Sequence, residues 1–97
     1  MSLNPHIRTV LRSAQQYRDG AISIEGLQAN LSGEVAAMEG DVPRQVRDAV
    51  TRAEAWIDSA RFSRGGSLQR EEAERALEEL ERVISRYYAR EIPEEGD

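Results

Sequence analysis

The chain has 97 residues (10.9 kDa), is 39% hydrophobic and 32% charged, and carries one His, no Cys and a formal charge of -5. This is room for one hydrophobic core and not two, with the mixed composition of a globular chain. The lack of Cys excludes disulfides, thiolate nucleophiles and Cys-ligated zinc, and the single His6 leaves no His cluster for a metal or a triad.

All 13 basic residues are Arg, as in a GC-rich, bacterial coding sequence, and the charge is unevenly placed. Residues 71–97 hold ten acids against four Arg, whereas residues 1–70 hold nine Arg against eight acids. An acidic C-terminal third repels a phosphate backbone and attracts a basic partner, so a protein partner is expected and nucleic acid is not. No apolar run approaches the roughly 20 residues of a membrane span. No signal-peptide core follows the N-terminus, which points to a cytoplasmic protein that does not engage membranes.

Four segments have helical periodicity and none alternates with period two, so the expected fold class is all-α. The first helix is expected from Asn4 to about Asp19, with Asn4 as N-cap, Pro5 at the first helical position and Gly20 as the terminating residue. Ile7, Val10, Leu11, Ala14 and Tyr17 share an arc of roughly 120° on its wheel. The second opens at Ser23, where Ile22 and Leu27 occupy the places of a hydrophobic staple, and Ile24, Leu27, Leu31, Val35 and Met38 follow at spacings of three and four. Gly26 and Gly33 each cost about 1 kcal/mol in a helix interior, which predicts a break or bend at Ser32-Gly33. Gly40 ends the segment, and Asp41 and Pro43 suit the start of the next.

The third helix is expected from Val42 or Pro43 to about Arg61, with Val42, Val46, Ala49, Val50, Ala53, Trp56, Ile57 and Ala60 in one stripe. Trp56 lies at the edge of that stripe, and both core filling and interface anchoring fit it. Phe62 falls nearly opposite, so either the helix has ended or the ring faces outward. Ser63-Arg64-Gly65-Gly66 reads as a loop, with Ser67 as cap of a fourth helix from about Leu68 to Arg90 or Glu91. Its stripe is Ala73, Ala76, Leu77, Leu80, Val83, Ile84, Tyr87 and Tyr88, and Glu71 to Arg75 and Glu78 to Arg82 are favourable i,i+4 pairs. Pro93 stops it, leaving an acidic tail, residues 94–97, expected to be disordered. The expected architecture is a single domain over residues 1–93. It is a small four-helix bundle in which the last two helices form an antiparallel hairpin and the two shorter N-terminal helices pack on it.

The stretch Asp19-Gly20-Ala21-Ile22-Ser23 has part of the pattern of a calcium loop, but Gln15, Tyr17 and Gly26 stand where ligands are needed. A helix-turn-helix reading fails because no Arg lies between Arg18 and Arg44. His6 near a helix start is tied by spacing to no nucleophile or carboxylate, and the Glu-x-x-His pattern of di-metal bundles is absent. No catalytic set, metal site or cofactor is therefore expected, and an enzyme is not.

On the fourth helix, Glu74, Glu81 and Tyr88 recur every seven residues along the border of the apolar stripe, with Glu71 and Glu78 beside them. Such a ridge is either an ordinary solvated helix face or a docking surface for a basic protein, with carboxylates that speed association and an aromatic anchor. A second reading is self-association, in which the third and fourth helices meet a second copy around Trp56, Phe62 and Tyr87.

The string Tyr17-Arg18-Asp19-Gly20-Ala21-Ile22-Ser23-Ile24-Glu25-Gly26-Leu27 resembles the early segment of small helical bacterial immunity proteins similar to the colicin D immunity family. Leu27 stands where that family commonly has an aromatic residue. The resemblance implies an acidic, non-enzymatic helical inhibitor of the immunity or antitoxin kind, which binds and blocks a cognate toxin, commonly a nuclease.

Overall fold

The computed structural model describes residues 4–40, 42–63 and 65–88. They form four helices, α1 (Pro5–Arg18), α2 (Ile24–Ala37), α3 (Arg44–Ser63) and α4 (Gly66–Tyr87), and no strand is present among the described residues. The protein is an all-α four-helix bundle.

Capping chemistry sets the N-terminal boundaries. The Asn4 side chain accepts the His6 N–H at 2.7 Å, with Pro5 opening the first turn of α1. At the other end, Gly20 adopts φ +81°, which an L side chain rarely takes, and so lets two backbone bonds close the helix. The Gly20 N–H reaches the Tyr17 carbonyl at 3.0 Å and the Ala21 N–H reaches that of Gln16 at 2.8 Å. Ser23 then caps α2 by accepting the Gly26 N–H at 3.1 Å.

Three expectations are corrected. The helix α2 runs without interruption through Ser32-Gly33, because Leu27, Leu31 and Met38 are fully buried and tertiary packing outweighs the glycine cost. The helix α4 runs from Gly66 to Tyr87 rather than from about Leu68 to Arg90 or Glu91, with Gly65 in the N-cap position without a side-chain cap bond, Ser67 inside the first turn and Tyr88 as C-cap. The helix α3 starts at Arg44, one residue after Pro43, and runs past Arg61 to Ser63; of the two alternatives for Phe62, the outward-facing ring is the one found, at 76% exposure. The expected cap Asp41, the end of the domain at 93 and the tail 94–97 lie outside the described residues.

Close packing joins α3 to α4 most extensively, then α2 to α3 and α1 to α2. The antiparallel α3–α4 hairpin is thus the base on which α2 and then α1 are laid. One core, including Ile7, Val10, Leu27, Leu31, Val50, Ile57, Leu77, Leu80 and Ile84, runs through all four helices. A polar seam fixes α2 on α3: the Gln28 amide nitrogen donates to Glu54 Oε2 at 2.9 Å and to Asp58 Oδ1 at 2.8 Å, while its oxygen accepts from Arg61. Asn30 donates to the buried Ser13 hydroxyl at 3.1 Å and ties α2 to α1. By contrast, the backbones of α1 and α4 scarcely approach, and these helices meet through long side chains.

Candidate functional site

The structure divides four carboxylates of α4, Glu71, Glu74, Glu78 and Glu81, into two pairs. Glu71 and Glu78 are exposed, whereas Glu74 and Glu81 are about one-third exposed and are held by Arg18, the last residue of α1. Arg18 Nε donates to Glu74 Oε1 at 3.0 Å, and its two terminal nitrogens fork onto Glu81 at 2.6 and 2.9 Å. Spacing by seven brings Glu74 and Glu81 to the same side of the helix, two turns apart, and a planar guanidinium has the donors to bridge them. The hydrogen bonds that Arg18 donates to Glu81 raise its pKa further above its already high value. The one it donates to Glu74 and the attraction of both charges add to this, against an opposing cost of burial.

Beside this clamp the Arg70 guanidinium lies 5.7 Å from the centre of the Tyr17 ring. Burial pushes the Tyr17 hydroxyl above its ordinary pKa, opposed by the Arg70 charge and assisted by that of Glu74. An open depression of about 350 Å3 is lined by Arg70, Glu71, Glu74, Arg75 and Glu78.

The expected Glu71–Arg75 and Glu78–Arg82 pairs are not among the ion pairs formed. Arg75 turns to Glu72 at 3.6 Å and Arg82 to Glu79 at 2.6 Å, both at i,i+3. Either spacing makes neighbours on a helix surface. Glu71 and Glu78 make no ion pair among the described residues, although Arg75 lines the same depression. Tyr88, the third member of the seven-residue column, is partly buried against the core, with its ring 5.6 Å from that of Tyr87.

The residues expected at a self-association surface are not brought together. Trp56 is 36% exposed and its indole N–H donates to Glu72 Oε1 at 2.7 Å. Phe62 lies under the Arg61 guanidinium, 5.0 Å from the ring centre, and Arg61 in turn reaches Glu25 in the first turn of α2 at 4.0 Å. Tyr87 is 46% exposed at the opposite end of α4, about 22 Å from Glu72 at 1.5 Å per residue.

Two contacts were not legible in the spacing. His6 Nδ1 lies 2.8 Å from Glu34 Oε1 on α2, so the expectation of a His6 tied to no carboxylate is corrected. The clamp of Arg18 on Glu74 and Glu81 is the second. The signal for Arg18 was position: with Leu11 and Ala14 it forms an i, i+3, i+7 row along the border of the α1 apolar stripe, where a long side chain reaches across to a neighbouring helix. Among the described residues no group of three or more His, Cys, Asp or Glu could hold a metal ion, and no helix is long and apolar enough to cross a membrane.

Comparison of the chain with known protein families, curated proteins and solved structures gave no match. The likeness to colicin D immunity proteins therefore rests on residues 17–27 alone.

Proposed function

We infer that this chain is a non-enzymatic protein-binding module, an inhibitor of the immunity or antitoxin kind, that docks a basic protein on the outer face of α4. The observation that carries this reading is the exposed Glu71 and Glu78, left without ion pairs while Arg75 and Arg82 bond elsewhere. Two exposed carboxylates without a close ion pair, two turns apart and about 10 Å along the axis, draw in a cationic surface and raise its association rate, although Arg70 and Arg75 line the same depression. Tyr87 and Tyr88 at the end of the same helix supply aromatic surface of the kind that anchors interfaces.

The test is capture of binding proteins from host extract by the wild-type chain and by a Glu71→Arg/Glu78→Arg variant, at low and high salt, followed by co-expression of any captured protein with each form. A basic protein retained at low salt, released at high salt, lost by the variant and toxic unless the wild-type chain is present supports the reading. Equal retention by both forms removes α4 from the mechanism. Self-association has less support, because Trp56, Phe62 and Tyr87 lie apart. A dimer in sedimentation at micromolar concentration that is abolished by Trp56→Ala would restore it.

A further inference from the structure

We propose that Glu74 and Glu81 form an arginine-binding cradle which Arg18 occupies in the free chain, and which an arginine of a basic partner takes over, releasing the end of α1 from α4. This rests on the reading of α4 as the face that meets a basic protein, and it names the chemistry of the contact.

The first ground is that the cradle is seen holding its ligand group. Three donors of one guanidinium meet three carboxylate oxygens at 2.6 to 3.0 Å. That arrangement selects a planar, forked cation over the point charge of an ammonium group.

The second ground is that the present occupant sits at a helix end, where local opening is easiest. Arg18 ends α1, the turn behind it pivots on Gly20 at φ +81°, and α1 and α4 scarcely touch through their backbones. Helix termini open at low free-energy cost compared with core elements.

The third ground is access. The Arg18 side chain is 24% exposed and its two carboxylate partners 31% and 33%, so solvent reaches the cradle from outside. Glu71 and Glu78 line the depression beside Glu74 and add negative charge there, and Arg70 and Arg75, which form the rest of its lining, have to swing aside for an entering guanidinium. A partner bearing closely spaced arginines would place one on the outer carboxylates and pass the next to the cradle.

The exchange is measured with capped hexa-arginine and hexa-lysine peptides, using calorimetry for affinity and hydrogen exchange for the α1 end. The Arg18→Gln chain should bind the arginine peptide about tenfold tighter than wild type, because the internal competitor is gone. The lysine peptide should gain little, and adding Glu81→Gln should abolish the gain. In the wild-type chain the arginine peptide should speed exchange at the Asp19, Gly20 and Ala21 amides, whose bonds close the end of α1. No gain in Arg18→Gln, an equal gain for the lysine peptide, or unchanged exchange at those amides overturns the cradle. If Arg18→Gln lacks helical circular dichroism, the exchange arm on the wild-type chain decides. Binding that depends on Glu71 and Glu78 but not on Arg18 would leave the docking face standing and remove only the cradle. Absence of peptide binding to either form would remove both.

Discussion

Replacing Arg18 by Ala removes three charge-assisted hydrogen bonds, at 3.0, 2.6 and 2.9 Å, from the seam where α1 and α4 have the least backbone packing. Hydrogen bonds to charged groups contribute about 1.5–3 kcal/mol each when well buried, while exposed ion pairs contribute about 0.2–1 kcal/mol. With the partners one-quarter to one-third exposed, the whole clamp falls between these limits, and a loss of about 2 kcal/mol is expected. An unfolding entropy of about 2.1 cal/mol/K per residue gives roughly 0.2 kcal/mol/K for a chain of this length, so Tm should fall by about 10 °C. The assay is thermal and urea unfolding followed by circular dichroism, in a double-mutant cycle of Arg18→Ala with Glu81→Gln. A coupling of about 1 kcal/mol or more is expected, and Glu81→Gln should cost more than Glu74→Gln because Glu81 accepts two of the three bonds. A coupling below roughly 0.3 kcal/mol would show an ordinary solvated pair and refute the account of the seam.

Three further outcomes follow from the packing and the titrating groups. Gly33→Ala should stabilise the chain by about 1 kcal/mol in urea unfolding, since a Cβ there meets nothing within 4 Å; a lower midpoint would mean that α2 needs the glycine. Leu77→Ala, at a fully buried position of α4, should cost about 2–5 kcal/mol, and a cost near zero would contradict a tightly filled core. The Tyr17 pKa is raised above 10.0 in the folded chain, so the native state binds the proton more tightly than the unfolded state. That stability is fully present below pH 10 and is lost as pH rises through the folded value. Alkaline unfolding should therefore begin above pH 10 and become less steep in Tyr17→Phe; an identical profile would show that Tyr17 takes no part.

The four helices were legible in the sequence because each is signalled locally. Apolar residues at spacings of three and four, Asn4-Pro5 and Ser23 at starts, and Gly20 at an end are decided within a few residues. The break expected at Ser32-Gly33 did not occur because propensity is outweighed by the burial of Leu27, Leu31 and Met38 against helices that local patterning does not describe. For the same reason the acidic column of α4 was visible while its partition was not. Arg18 lies 56 and 63 residues from its two partners, and His6 lies 28 from Glu34. No periodicity links such positions; only the order of helices around the core does.

That order bears on how the chain acquires its shape. Because each helix packs closely on its neighbour in sequence, most contacts close short loops, and folding is expected on the microsecond-to-millisecond scale of low-contact-order helical proteins. The bonds of Arg18 to Glu74 and Glu81 and the Arg70–Tyr17 contact are long-range exceptions, and they can form only after α1 and α4 have come together. During synthesis α1 and α2 emerge before the α3–α4 hairpin, so the core that all four helices share is closed only once α4 has left the ribosome. A nascent chain stalled before α4 would therefore be the form most exposed to proteases and chaperones.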